Sequence, residues 1–165
     1  METLIFERTG ELKRNLAQLE EKLGVKITIK GKKVSIRGPA LDEYEASLVL
    51  EAINFGFPSE KSLLLKNEDV IFRRINIRSF TRRKNLEDIR SRIIGKYGTT
   101  KRTIEEVSDC YIVIKENNIG IIGSVEDIDN ILTALTNLIR GSKQANIYKY
   151  LERMNTAKKE QRFKK

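Results

Sequence analysis

Twice along the 165 residues the hydrophobic periodicity passes through the same order: helical, alternating, alternating again, then helical. That repetition limits the fold more than any other feature of the chain. In the first half Leu12, Leu16, Leu19 and Leu23 fall at spacings of four, three and four, so residues 11–23 are predicted to form one helix ended by Gly24. Val25, Ile27 and Ile29 then alternate, and Lys30-Gly31-Lys32 supplies a turn. Val34 and Ile36 resume the period of two until Gly38-Pro39, which makes a hairpin. A helix over 41–55 should stop at Gly56, and a shorter one should follow Pro58 and end near Leu65.

The second half repeats the order with a fuller beginning. Residues 70–78 alternate as a strand, and residues 86–94 read as a short helix reaching Gly95. Beyond Gly98, Thr99 or Thr100 can start a helix running to about 107. Residues 111–114 and 119–122 are strands around the turn Glu116-Asn117-Asn118. Ser124 is an N-cap with Asp127 three residues on. Ile128, Ile131, Leu132, Leu135, Leu138 and Ile139 form a buried stripe that Gly141 ends.

Composition narrows the chemistry. The chain has no histidine and one cysteine, Cys110, which removes the commonest general base, the Ser-His and Cys-His pairs and multi-cysteine zinc sites. We expect no enzyme, no cofactor and no bound metal, and a buried thiol at Cys110. No stretch reaches the apolar length of a spanning helix, and residues 1–6 lack the pattern of a signal peptide, so the expected location is cytoplasmic, away from membranes.

The net charge of +9 is concentrated. Residues 1–68 hold 11 basic and 11 acidic side chains, whereas residues 71–102 hold 11 basic ones (Arg73, Arg74, Arg78, Arg82, Arg83, Lys84, Arg90, Arg92, Lys96, Lys101 and Arg102) against Glu87 and Asp88. A local surplus of this kind attracts a polyanion. Residues 156–165 carry five basic residues and one acid, with only Ala157 and Phe163 apolar, and are expected to be a mobile basic tail.

The segment Arg92-Ile93-Ile94-Gly95-Lys96-Tyr97-Gly98, followed by Ile104, resembles the signature of the KH RNA-binding domain, whose GxxG loop joins two helices. The hairpin and long helix that follow match the type I order of that fold. Without side chains, Gly95 and Gly98 let backbone amides approach phosphates, and the helix starting near Thr99 points its partial positive end at the same place. Lys96 and Lys101 add full charges. The resemblance implies a groove for about four unpaired nucleotides with an apolar floor. That floor would be drawn from Ile93, Ile94, Ile104 and Ile112, although the spacing of Ile104 to Val107 reads more naturally as core. Arg82, Arg83, Lys84, Arg90 and Arg92 would track the flanking backbone, and the RNA contact would extend over Thr99, Thr100, Lys101 and Arg102. The first half resembles a degraded KH unit. Placing Gly10 at the second glycine puts Glu7 at the first, and Leu4-Ile5-Phe6 then serves as the missing opening element or the unit is trimmed.

Over residues 5–153 the chain is similar to the archaeal two-KH proteins related to the eukaryotic Pno and Krr factors of small-subunit ribosome assembly. The similarity lies in Gly56-Phe57-Pro58-Ser59-Glu60-Lys61-Ser62-Leu63, in Thr100-Lys101-Arg102 and Ile104-Glu105-Glu106, in Ile121-Ile122-Gly123, and in Leu138-Ile139-Arg140-Gly141-Ser142 with Ile147-Tyr148-Lys149-Tyr150-Leu151-Glu152. Gln144 stands where that family is expected to place a histidine. The expectation is therefore an α+β tandem of type I KH domains, each an antiparallel sheet packed on helices. Its parts are a degraded unit over 1–68, an intact one with an extra C-terminal helix over 69–155, and a tail over 156–165. The resemblance implies binding of single-stranded rRNA near the 3′ end of the small-subunit molecule, a PIN-domain endonuclease partner and the alpha subunit of archaeal initiation factor two. A protein-binding adaptor with weak RNA affinity, or a KH cofactor of translation or RNA degradation, stays open from the residues alone.

Overall fold

The computed structural model of the chain describes residues 1–163. It divides into two compact units, Met1–Phe72 and Arg73 onward, four residues later than the sequence reading places the change. Among the described residues no helix is long and apolar enough to cross a membrane.

The first unit runs β1 (Glu2–Ile5), α1 (Gly10–Arg14), α2 (Leu16–Leu23), β2 (Lys26–Lys30), β3 (Lys33–Arg37), α3 (Ala40–Phe55) and α4 (Ser59–Ser62), the last followed by a 3₁₀ turn over Leu63–Lys66. The second runs β4 (Val70–Asn76), a 3₁₀ turn over Ile77–Ser79, α5 (Leu86–Ile94), a tight turn over Lys96–Gly98, α6 (Thr99–Ser108), β5 (Tyr111–Lys115), β6 (Asn118–Ser124), α7 (Val125–Ile139) and α8 (Gln144–Phe163). The two antiparallel sheets have equivalent orders, β1-β3-β2 and β4-β6-β5. Alternation sends Ile27, Val34 and Ile36 in one sheet, and Ile112, Ile119 and Ile121 in the other, into cores shared with the helices.

The units keep step with a constant offset of 85 residues, from Lys26 to Tyr111, Lys33 to Asn118 and Ala40 to Val125. Details recur at the same offset. Glu20 Oε2 accepts from the Ile27 amide at 3.1 Å, and Glu105 Oε2 accepts from the Ile112 amide at 3.0 Å. Each glutamate thus ties the helix before the hairpin to its first strand. Gly24 and Asp109 both take left-handed backbone after that helix, as do Gly31 and Glu116 in the two hairpin turns.

Several local expectations change. The leucine stripe over 11–23 is not one helix: Asn15 breaks it with φ −113° and ψ 14°, its side-chain amide donating to Glu11 O at 2.9 Å. The strand from Val70 ends at Asn76, whose side chain accepts from the Arg78 amide and turns the chain. Residues 156–163, read as a mobile tail, continue α8 instead. Lys158 reaches back to Asp127 at 2.9 Å, which ties that stretch to the first turn of α7. Lys164 and Lys165 of that predicted tail lie outside the described residues.

Cys110 is buried, as its neighbours in sequence suggested, and burial pushes its thiol up to about 12. A Cβ on Gly123 would overlap Cys110 Sγ, just as one on Gly38 would lie 2.9 Å from Val25 Cγ1 at the equivalent place in the first unit. Gly123→Ala is therefore expected to destabilise the second unit by roughly 1–3 kcal/mol, the usual cost of overpacking. Denaturant unfolding checks this, and a variant as stable as the parent would show that the contact yields freely.

Candidate nucleic-acid interface

Two helix ends form the site. Asn85 caps α5 by accepting from the Asp88 amide at 3.2 Å, and the helix closes when the Gly95 amide donates to Ser91 O at 2.8 Å. Gly95 then adopts φ 77° and ψ 171°, a region open essentially to glycine alone. A Cβ there would overlap Thr100 Oγ1 and sit 2.6 Å from the Thr100 amide nitrogen, so the chain folds back on the start of α6 only because that atom is missing. Tyr97 and Gly98 follow in left-handed backbone, at φ 58° and 76°. Left-handed backbone is uncommon for a bulky side chain and is held here by the surrounding turn.

The N-terminus of α6 differs from its neighbours in the unit. α5 and α7 have side-chain caps, Asn85 and Ser124, and acidic residues in their first turns. α6 begins at Gly98 with neither a side-chain cap nor an acid in its first turn. The Gly98 and Thr99 amides are taken within the turn, by Gly95 O and Lys96 O, so the positive end of the helix dipole meets the loop through the amides that follow. Around them stand Lys96, whose ammonium lies 5.8 Å from the Tyr97 ring centroid, and Arg102, which donates to Tyr97 O at 3.4 Å. Thr99 Oγ1 donates to Lys96 O at 2.8 Å and fixes the turn. Tyr97 is 86% exposed, the most open large hydrophobic side chain among the described residues. Lys101 leans along α6 to Glu105 at 3.0 Å, so its charge is partly met within the helix.

The remaining predicted site residues fall into three groups. Arg82, Arg83 and Lys84 are exposed on the loop before α5. Arg90 and Arg92 are half-buried and bonded internally rather than projecting freely. Arg90 donates to Asn117 Oδ1 in the β5–β6 turn, and Arg92 donates to Ser142 O at 2.9 Å and Leu138 O at 3.4 Å, covering the carbonyl end of α7. Gln144 Nε2 completes that joint by donating to Arg92 O at 3.5 Å. These partners lie 27 to 52 residues away in sequence and leave no local signal. Finally, the expected apolar floor shrinks. Ile93, Ile104 and Ile112 are core residues without accessible surface, and of that set only Ile94, 38% exposed, reaches the surface.

The first unit lacks this geometry. The offset of 85 puts Gly10, not Glu7, at the first glycine and Lys13 at the second, which corrects the alignment drawn from sequence. Those positions are helical, in α1. No helix precedes them: β1 supplies the opening strand, and only residues 6–9 connect it to α1. Leu12, at the register of Tyr97, is fully buried. Glu11, at the register of Lys96, accepts from the Ser59 amide at 2.9 Å, and that bond, with help from Arg14, holds its carboxyl below the usual range. The loop of one unit is a packed joint in the other.

Comparison with known proteins agrees with this geometry. A family model for the second KH domain of PNO1, a eukaryotic type KH-domain (KH-domain type I), matches residues 71–156. The chain belongs to the Pno1-type KH family. A KH domain-containing protein of Methanocaldococcus jannaschii is 29% identical over 97% of this chain and 72% of its own length. The pre-rRNA-processing protein pno1 of Emericella nidulans is 30% identical over 84% of this chain and 57% of that protein. Among solved structures, the a/eIF2alpha-aDim2p-rRNA complex from Pyrococcus horikoshii contains a chain that superposes with a TM-score of 0.82 at 29% identity, covering 94% of each chain. The matched region contains the whole Gly95–Gly98 loop, while the opening of β4 precedes it.

The two glycines of this family loop are needed for different reasons, and the difference is measurable. Gly95→Ala meets both a forbidden backbone region and the Thr100 backbone, whereas a Cβ on Gly98 has nothing nearer than Arg102 at 3.9 Å and meets only the left-handed penalty. Gly98→Ala should cost about 1–2 kcal/mol of stability, and Gly95→Ala clearly more. Thermal unfolding of both variants tests the order, and equal losses would contradict it.

Proposed function

We propose that the chain binds single-stranded rRNA through the Gly95-Lys96-Tyr97-Gly98 loop and acts in assembly of the small ribosomal subunit or processing of its rRNA 3′ end. The observation that carries this reading is the uncapped, acid-free start of α6 set directly behind a loop that only glycine can form. A phosphate there would lie at the positive end of α6, accept from the amides beyond Thr99 and meet Lys96 and Arg102, while Ile94 and the Tyr97 ring offer apolar surface to the adjoining nucleotides. Arg82, Arg83 and Lys84 would extend the cationic path. Arg90 and Arg92 would act mainly by holding α5 against the β5–β6 turn and the end of α7. The names of the relatives support the class of ligand: one is a pre-rRNA-processing protein and another is solved with rRNA. That complex also contains a/eIF2alpha, so we propose the alpha subunit of initiation factor two as a partner of this chain. A PIN-domain endonuclease acting on the same rRNA end belongs to the same reading. No step in it requires catalysis by this chain.

The double change Lys96→Asp with Tyr97→Asp keeps both glycines and aims two anions at the proposed phosphates. At about 5 Å each repulsion costs roughly 1 to 3 kcal/mol for an effective dielectric between 80 and 20, and the lysine's own attraction is lost. Affinity for a single-stranded RNA should fall about a hundredfold. Folding should change by about half a kcal/mol or less, since both positions are exposed and aspartate accepts left-handed backbone more readily than tyrosine. Melting and RNA titration on one preparation check it; a variant that melts and binds like the parent would show that the loop is not the site.

A further inference from the structure

The first unit, despite its closed loop, carries a second cationic surface on the outward face of its sheet. Residues 22–37 contain Lys22, Lys26, Lys30, Lys32, Lys33 and Arg37 and no acid. Register decides where four of them point. Lys26 pairs directly with Arg37, and Lys30 with Lys33, while Thr28 and Thr3 pair with Ser35 in the row between. Ile27, Val34 and Ile36 occupy the opposite, buried face. Four exposed cations thus frame a row of three hydroxyls, with strands about 4.8 Å apart and the two charged rows about 13 Å apart along the strand. Among the described residues, no carboxylate forms an ion pair with any of the four.

This arrangement runs against sheet stability, because like charges directly opposite each other on neighbouring strands repel. Protection of an exposed edge accounts for lysines on β2, since charged edge strands resist unwanted pairing. It does not account for Lys33 and Arg37, because β3 is the central strand. Nor does the fold require cations there. At the offset of 85 the same face of the second sheet carries Tyr111, Val113, Lys115, Asn118, Gly120 and Ile122, which are half-buried or buried.

We infer that this face is a docking surface for the phosphate backbone of helical RNA. The face presents no aromatic ring, and unpaired bases are held chiefly by stacking on such rings. A paired A-form helix instead offers phosphates and 2′-hydroxyls over a wide, shallow groove, which suits cations flanking Thr3, Thr28 and Ser35. The inference extends the RNA-binding reading of the second unit and rests on it for the class of partner.

The test uses the full chain and two probes, a blunt RNA duplex of about 16 base pairs and a short unpaired RNA. Changing Lys26, Lys30, Lys33 and Arg37 each to Thr keeps good strand formers. Duplex affinity should fall at least tenfold, and the log–log salt slope should become shallower by about 3 to 4, as expected for four lost phosphate contacts. Affinity for the unpaired RNA should change less than threefold. The Lys96→Asp, Tyr97→Asp variant should show the reverse pattern, so failure of either surface is seen separately. The parent chain gives a second readout that needs no variant: acylation of Lys26, Lys30 and Lys33 should slow when duplex is bound. Unchanged duplex affinity, unprotected lysines, or binding of polyglutamate as tight as that of duplex at equal salt would overturn the inference.

Discussion

The approach of Gly95 to Thr100 sets the conditions for everything else in the second unit. With φ 77° and ψ 171° the chain leaves α5, reverses and enters α6 while its backbone lies against the Thr100 amide. Any side chain at position 95 would push these helices apart, and the amides at the start of α6 would lose the loop that frames them. Thr100, buried behind Gly95, lets the surface side chains Lys96 and Tyr97 project from a fixed frame. Bonds from Arg90 and Arg92 to distant segments hold α5 from the other side. The site is thus a backbone feature with charges arranged round it.

The two units show how one framework supports different surfaces. Both keep the sheet order, the glutamate-to-strand hydrogen bond and the left-handed residues after the helix and in the hairpin turn. They diverge at their surfaces. The first unit replaces the loop by α1, buries Leu12 and uses Glu11 to hold the amide of Ser59 at the start of α4. Its outward sheet face is cationic and exposed, where the equivalent face of the second is mixed in character and less exposed. Charges and rings were redistributed without altering the hydrogen-bonded frame that makes each unit fold.

Much of this was legible in the chain because it depends on neighbours in sequence. The hairpin at Gly31, the cap at Ser124, and the stops at Gly24, Gly56 and Gly95 follow from period and turn chemistry within a few residues. The break at Asn15 was hidden because the leucine stripe runs through it unbroken. The register of the first unit was misjudged because Gly10 resembles either glycine of the motif until the strands fix the offset. Ile93 and Ile94 look alike in sequence, yet one is core and the other surface, a difference set by which side of α5 packs against α6 and α7. The basic hairpin escaped notice for a simpler reason: 11 acids and 11 bases cancel over residues 1–68, although no acid falls within residues 22–37.

The central claim, that an uncapped helix start behind the Gly95–Gly98 turn receives RNA phosphate, is tested most directly by following backbone amides. Isotope-labelled full chain titrated with a short single-stranded RNA should show its largest amide shifts from Gly98 to Arg102, with Tyr97 ring signals moving in parallel. Shifts concentrated elsewhere in the second unit, with the amides at the start of α6 unmoved at saturation, would contradict the account.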